Sequence, residues 1–249
     1  MTDLQKASLS KRIAAGMLDA MLICVLAAGI FSLLMWVFNY EGHAADLAEG
    51  YARYETQYGV DFSWDYSSLE GKEKENFDAA YAALIADNEV MRDFNLVVNQ
   101  SVLITTFSIL LAMVCLEFVV PLLLKNGRTL GKKAFGLGLM RVDGVRITPI
   151  QLFVRTVLGK FTLETMISVY ILIMLFFQMM GITGPVVIGG ILLLQAICMI
   201  VTRTNSMIHD LLAGTVVVDI GSQRIFRTAE ELLAYQKEIA AERAARQEY

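Results

Sequence analysis

Four stretches of the chain are almost entirely apolar, and the segments between them are polar and strongly charged. Each stretch contains about 20 residues or more, the length that a helix needs to cross a bilayer core roughly 30 Å thick. The stretches lie at residues 13–38, 101–124, 161–180 and 182–201. Gly181, Gly184 and Pro185 mark a tight connection, so we expect the last two stretches to form a membrane hairpin. The pattern predicts an all-α membrane protein with four transmembrane helices.

The composition supports an integral membrane protein rather than a soluble enzyme. Of the 249 residues, 56% are apolar and only 18% are charged, against about 25% charged residues in soluble domains. The sequence shows no metal-ligand cluster, no neighbouring Ser/His or Cys/His pair and no nucleotide-binding motif. The three cysteines, Cys24, Cys115 and Cys198, all lie within apolar stretches, where they are typical packing residues. We therefore expect no catalytic residues, no metal, no cofactor and no nucleic-acid partner.

Charge between the spans predicts the orientation of the chain. Segment 39–96 carries four basic and 13 acidic residues, whereas segment 125–160 carries eight basic residues and one acidic residue. Short basic loops stay on the cytoplasmic side of a membrane. We therefore expect both termini and segment 125–160 to be cytoplasmic and segment 39–96 to be external. The external segment has helical composition, and its tyrosine and phenylalanine residues recur at helical spacing, which favours packing over a ligand or partner platform.

Segment 125–160 predicts a small β-hairpin followed by a helix. Residues 135–142 and 145–147 are separated by Asp143-Gly144, a pair that suits a two-residue hairpin turn. Thr148, Pro149 and Gln151 then form a helix-start signature, with Thr at the N-cap, Pro at the first position and Gln at the third. We predict a cytoplasmic β-hairpin and an amphipathic helix that lies in the membrane interface before the third span.

Three acidic residues lie within or near the spans, where a carboxylate costs roughly 2.5 to 3.5 kcal/mol on insertion scales. Asp19 follows Arg12 by seven residues, so at 1.5 Å per residue the two share a helix face about 10 Å apart. Similar counting puts Glu117 and Glu164 in the same half of the membrane. With Arg12 these acids form one expected polar cluster. It is either an ion-pair network that fixes helix register or a proton or cation site.

Two further groups of charged residues have open interpretations. Lys125, Arg128, Lys132 and Lys133 act as topology signals and are candidates for binding anionic lipid headgroups. His209 and Asp210 are either a proton-handling pair or a polar anchor that ends a short helix before Gly214.

These residues carry a resemblance to a known family. Arg12 and Asp19 at the first span, Asp210 within residues 203–215, and Thr129-Leu130-Gly131-Lys132-Lys133 resemble the motifs of the RDD family of bacterial membrane proteins, named for one arginine and two aspartates. The resemblance covers residues 6–38 and 125–218, and segment 39–96 is an insertion relative to the family. It implies a location in the bacterial cytoplasmic (inner) membrane and a transport role.

The sequence leaves two functions open. The first is transport of a small ion or solute, such as cation/proton exchange, with Asp19 and Glu117 as exchanging groups and Arg12 stabilising the charge of Asp19. Four spans without an inverted repeat are few for a transporter, so this function implies a homo-oligomer in the lipid bilayer. The second is a non-catalytic membrane scaffold or assembly factor that binds an envelope protein through its external acidic segment. The predicted parts are residues 1–38, 39–96, 97–124, 125–160, 161–201 and 202–249, the last of which includes a helix from Thr228.

Overall fold

The helices and strands are taken from a computed structural model that describes residues 7–124, 127–176 and 180–247. In chain order the helices are α1 (Leu9–Val37), α2 (Tyr40–Tyr58), α3 (Gly71–Ala86), α4 (Asn88–Leu123), α5 (Leu130–Ala134), α6 (Pro149–Leu175), α7 (Thr183–Val201), α8 (Ile208–Ala213) and α9 (Ala229–Gln247). The strands are β1 (Leu137–Arg141) and β2 (Thr215–Asp219). Four of these helices, α1, α4, α6 and α7, are long and apolar enough to cross a membrane. The predicted four-span, mainly helical membrane protein with a small sheet is confirmed.

The chain divides into two compact units. The sheet unit comprises Met1–Leu26 and Leu110–Tyr249, and the insertion unit comprises Ala27–Ile109. The sheet unit contains both strands and all the charged residues that the sequence singles out. The insertion unit contains α2 and α3. The predicted boundaries of the six chain segments stay a prediction.

The sheet at the centre of the sheet unit joins two distant parts of the chain. Strands β1 and β2 are antiparallel, with Leu137 opposite Asp219 and Arg141 opposite Thr215. Because side chains alternate along a strand, Leu137 and Leu139 share one face. There they belong to a buried apolar cluster, whose members are Ala7, Ala15, Leu137, Leu139, Ile147, Leu152 and Val217. The cluster links the sheet to the starts of α1 and α6.

The predicted hairpin turn is present, but the partner strand differs from the predicted one. The amide of Arg141 donates to the carbonyl of Val145 over 2.8 Å, and the amide of Gly144 donates to the carbonyl of Arg141 over 3.0 Å. Beyond the turn only one isolated bridge forms on this side, between Met140 and Arg146, within the part of the chain that the structure describes. The ladder of β1 is made with β2 instead, whose three consecutive valines favour a strand.

The start of α6 is the one predicted from the sequence. Thr148 accepts a hydrogen bond from the amide of Gln151 over 3.2 Å, and the Gln151 side chain accepts one from the amide of Thr148 over 3.2 Å. Pro149 occupies the first turn of the helix. The helix then continues into the third span without a break, so the predicted interfacial helix is the first part of α6. Its position in the membrane interface stays a prediction.

Two π-helical stretches interrupt the spans of the sheet unit. In α4 the stretch is Val114–Val119, and in α6 it is Val154–Met166. A π-helix widens the helix by one residue per turn, and such bulges are frequent at functional sites. Both stretches carry charged residues of the predicted polar cluster.

The insertion unit has an aromatic core of its own. The rings of Tyr51 and Phe62 lie 5.7 Å apart, those of Phe62 and Phe77 5.5 Å apart, and those of Tyr66 and Phe77 5.6 Å apart. Edge-on and tilted contacts at these distances are favourable aromatic packing. The aromatic residues at helical spacing therefore include residues that pack inside this unit.

Candidate functional site

Asp210 is held between two arginines in the interior of the sheet unit. Its Oδ2 accepts from NH2 of Arg12 over 3.0 Å, and its Oδ1 accepts from Nε of Arg155 over 2.9 Å. All three side chains are at least 95% buried. Arg12 also donates to the carbonyl of Thr204 over 3.1 Å. Burial alone would raise the pKa of Asp210, but the charges of Arg155, His209 and Arg12 hold that pKa well below its usual range.

His209 extends this arrangement toward Glu164. The Nδ1 atom of His209 lies 2.9 Å and 2.8 Å from the two carboxylate oxygens of Glu164, and its Nε2 lies 2.9 Å from NH2 of Arg155. A carboxylate accepts and a guanidinium donates, so these partners assign the proton to Nδ1 and make Nε2 an acceptor. The amide of His209 also donates to Glu164 over 3.0 Å. Burial lowers the pKa of His209, with the charge of Arg155 acting in the same direction against Asp210 and Glu164.

Both carboxylate oxygens of Asp19 accept hydrogen bonds from residues at the start of α5. Oδ2 accepts from the hydroxyl of Thr129 and Oδ1 accepts from the amide of Gly131, over 2.5 Å and 2.7 Å. Nζ of Lys132 lies 4.0 Å from Oδ2. The approach is so close that a Cβ added to Gly131 would lie 2.8 Å from Cγ of Asp19 and would collide with the carbonyl oxygen of Ala15. Asp19 therefore fastens the start of α5 to α1.

Glu117 and Lys160 form a pair between the two π-helical stretches. Nζ of Lys160 contacts Oε1 of Glu117, and the carboxylate is fully buried whereas the lysine side chain is 24% exposed. The hydroxyl of Thr156 donates to the backbone carbonyl of Glu117 over 3.0 Å. The second oxygen, Oε2, is buried and has no hydrogen-bond partner among the described residues. Glu117 is thus the acid of this group with an unused acceptor atom.

The acids that the sequence predicts to cluster do lie in one unit, but their partners differ from the predicted ones. The predicted pair of Arg12 with Asp19 is wrong: Arg12 bonds to Asp210 and Thr204, and Asp19 bonds to Thr129 and Gly131. Sharing a helix face is not enough, because side chains 10 Å apart along the axis find closer partners on other elements. Predicted roles of the individual residues in transport stay predictions.

The basic residues predicted to contact lipid headgroups have different surroundings. Lys132 is 8% exposed, and its Nζ donates to the hydroxyl of Thr129 over 3.3 Å. Its predicted contact with lipid headgroups stays a prediction. Burial and the charge of Arg155 lower the pKa of Lys132 to about 8, against the charges of Glu117 and Asp19. Lys133 is exposed and Arg128 is half-buried, so for them the prediction stands untested. Lys125 lies outside the described residues.

Sequence reasoning missed four residues that complete the site. Arg155 and Lys160 are among the eight basic residues that predict the orientation of segment 125–160, and the sequence gives them no role in the site. Their spacing of five residues matches the turn of a π-helix and puts both on the face toward the acids. Thr129 and Gly131 belong to a motif that resembles the family, and the sequence predicts no chemical role for either residue. No local signal connects Arg155 with Asp210 or Lys160 with Glu117, because these contacts span long stretches of chain. The same holds for the contacts of Thr129 and Gly131 with Asp19.

The arrangement is built from charged pairs. Within residues 7–124, 127–176 and 180–247, no group of three or more His, Cys, Asp or Glu side chains could hold a metal ion. The site's one carboxylate oxygen without a hydrogen-bond partner among the described residues is the buried Oε2 of Glu117.

Comparison with known families finds one match. The model of the RDD family matches residues 6–214, which include every charged residue of the site described above. Neither a curated protein nor a solved structure matches the chain.

Proposed function

Because the chain belongs to the RDD family, we propose that it exchanges a small cation for a proton across the bacterial inner membrane, with Glu117 as the exchanging carboxylate. The observation that carries this proposal is the buried oxygen of Glu117 that has no hydrogen-bond partner among the described residues. An unsatisfied buried acceptor costs roughly 1–3 kcal/mol. A chain that keeps such an atom inside a candidate span has a place where a cation or proton gains by binding.

The other acids are poorer candidates because their oxygens are already bonded. Asp210 accepts from two arginines, and Asp19 accepts from a hydroxyl and an amide. Releasing either carboxylate would break bonds between different elements. These two residues therefore hold the sheet unit together, and Glu117 is the group that changes its partner.

The charge distribution supports the orientation proposed for exchange. Segment 39–96 is strongly acidic and segment 125–160 strongly basic, so the termini and Lys160 face the cytoplasm and the insertion unit faces the other side. With four spans per chain, a continuous path across the membrane is completed by further copies, and the exchanging form is a homo-oligomer.

Flux through purified protein in liposomes tests the proposal. A proton-sensitive dye inside the vesicles should report proton movement when a Na⁺ gradient is imposed, and Glu117→Gln should reduce the rate at least tenfold. Glu242→Gln removes an exposed carboxylate on α9 and is the matched control. Equal rates for Glu117→Gln and the unaltered protein would contradict the proposal.

A second function, binding of an envelope protein, is supported by the insertion unit. Its aromatic core and its buried Leu69, Ala80 and Leu84 make it a folded body rather than a flexible connection. Its exposed acidic surface would face a basic partner. Charge reversal at exposed acids of α3, such as Glu73→Lys together with Glu75→Lys, should remove a co-purifying envelope protein and leave cation flux unchanged. Retention of the partner by this variant would contradict the scaffold function.

A further inference from the structure

The Glu117–Lys160 pair has one accessible member. The carboxylate of Glu117 is completely buried, whereas 24% of the Lys160 side chain is exposed. The lysine stem is long and flexible, so its ammonium group can leave the carboxylate toward solvent while Glu117 stays in place. A cation that binds at the unpartnered Oε2 places a second positive charge beside the ammonium group on Oε1, so binding favours loss of the positive charge of Lys160.

The surroundings of Glu117 favour a carboxylate over a neutral acid. The charged groups facing it are Lys160 and Arg155 from α6 and Lys132 from α5, and α6 also presents the hydroxyl of Thr156 to its backbone. Positive charges close to a carboxylate stabilise its ionised form. A proton that is exchanged at this site therefore has a better carrier in the neighbouring amine than in the carboxylate itself.

We infer that Lys160 carries the proton that is exchanged for the cation, an inference that rests on the proposed exchange at Glu117. In one state the Lys160 ammonium pairs with the Glu117 carboxylate. In the other, a monovalent cation lies against the carboxylate, one N–H bond of Lys160 has broken, its electron pair stays on nitrogen, and the proton has passed to water at the exposed side. The site carries no net charge in either state, because the bound cation replaces the positive charge that Lys160 loses with its proton. One cation is thus exchanged for one proton, and the exchange moves no net charge across the membrane.

Lys160 could act as a proton carrier or as a fixed counter-charge, and substitutions at this position distinguish the two roles. As a proton carrier, Lys160 must lose its proton, which arginine cannot do in a protein. As a fixed counter-charge, it could be replaced by arginine without loss. Glutamine at this position leaves the carboxylate as the remaining carrier. A carboxylic acid releases its proton at a lower pH than an ammonium group does, so the pH dependence of exchange should then shift to lower pH.

The experiment compares Lys160→Arg, Lys160→Gln and Glu117→Gln in liposomes with Na⁺ as the probe cation, from pH 5.5 to 9. Lys237→Arg, on an exposed side chain of α9, is the matched control. Lys160→Arg should reduce exchange at least tenfold. Lys160→Gln should retain exchange with its half-maximal pH lowered by at least one pH unit. A potential-sensitive dye in vesicles with the unaltered protein should report no potential generated by exchange.

The outcomes distinguish the inference from the proposed function. If Glu117→Gln abolishes exchange but Lys160→Arg keeps the unaltered rate and pH dependence, the lysine is only a counter-charge and the inference is wrong. If Lys160→Arg does not fold, an unchanged half-maximal pH in Lys160→Gln overturns the inference equally. Exchange that persists in Glu117→Gln, or its absence in the unaltered protein, overturns the proposed function and the inference with it.

Discussion

Gly159 of α6 lies directly against the backbone of His209 in α8: a Cβ added to Gly159 would lie 2.7 Å from Cβ and 2.9 Å from Cα of His209. No side chain larger than hydrogen fits this contact. The close approach of the two helices is what lets Arg155 and Glu164 reach both ring nitrogens of His209. The hydrogen bonds of His209 therefore depend on the small size of Gly159, although this residue takes no part in them.

Gly159→Ala should destabilise the sheet unit. Overpacking at a buried contact costs typically about 1–3 kcal/mol, and here the shift would also disturb the hydrogen bonds of His209. Thermal unfolding in detergent should show a lower midpoint. Gly189→Ala in α7, where a Cβ would meet nothing within 4 Å, is the control and should not lower the midpoint, because alanine favours a helix over glycine. Equal midpoints for both variants would show that the two helices are not in contact.

Arg12 should be energetically coupled to Asp210 and not to Asp19. Removing one partner of a buried ion pair costs about 3–5 kcal/mol because the other charge is left uncompensated. A double-mutant cycle of Arg12→Gln with Asp210→Asn should therefore give less destabilisation than the sum of the single variants. The cycle of Arg12→Gln with Asp19→Asn is the comparison and should be close to additive. Coupling found only in the second cycle would show that Arg12 interacts with Asp19, as the sequence predicts, and not with Asp210.

Asp19→Asn should affect stability but not flux. The amide oxygen can still accept from Thr129, but the amide nitrogen would oppose the backbone N–H of Gly131, which loses its acceptor. An unsatisfied buried donor costs roughly 1–3 kcal/mol. The unfolding midpoint should fall, while exchange per folded protein, measured after size-exclusion chromatography, should match the unaltered protein. Loss of exchange in folded Asp19→Asn would move the exchanging site to Asp19.

Stability should fall on acidification because of His209. Its pKa is lower in the folded protein than in the unfolded chain, so between these two values the unfolded chain binds more protons. The stabilisation is present above the unfolded value of about 6.5 and is lost as the pH falls below it. Asp210, whose pKa is also lowered on folding, adds a further loss below about pH 4.

Melting midpoints from pH 8 to pH 5 measure this effect. Protonating Nε2 would place an N–H against the guanidinium of Arg155, so the midpoint should decrease steadily below about pH 6.5. His209→Asn keeps a donor for Glu164 without a titrating ring and should be less stable at pH 8 but flatter across this range. An equally steep decrease in His209→Asn would assign the pH dependence to another group.

The proposed orientation can be measured by cysteine labelling in intact cells. In a variant without Cys24, Cys115 and Cys198, a cysteine at exposed Ser67 should react with a membrane-impermeant thiol reagent. A cysteine at exposed Lys133 should react only after the membrane is permeabilised. The reverse pattern would place the insertion unit in the cytoplasm.

Local features of the site and fold could be predicted from the sequence, and long-range ones could not. The spans and the capping box at Thr148 depend on neighbouring residues, so their patterns are visible in a single stretch of chain. The partners of Arg12 and of β1 come from residues near 210 and 215, and no local pattern identifies them. The two π-helical stretches were also not predicted, because hydrophobic periodicity in the sequence does not distinguish them from ordinary helix. The burial of Lys132 could not be predicted either, because a basic residue near a span usually faces lipid headgroups or water.

The bond between Arg12 and Asp210 joins residues 198 positions apart, and this separation sets an order of events during synthesis. Chains grow at about 5–20 residues per second, so about 10–40 s pass between the synthesis of Arg12 and that of its partner Asp210. The interval between the synthesis of Arg155 and that of Asp210 is shorter. Until Asp210 is made, two guanidinium groups destined for the protein interior have to stay solvated at the membrane surface. Maturation of the sheet unit is therefore tied to the last quarter of the chain, and a nascent protein that stops before residue 210 contains both arginines without the carboxylate they share.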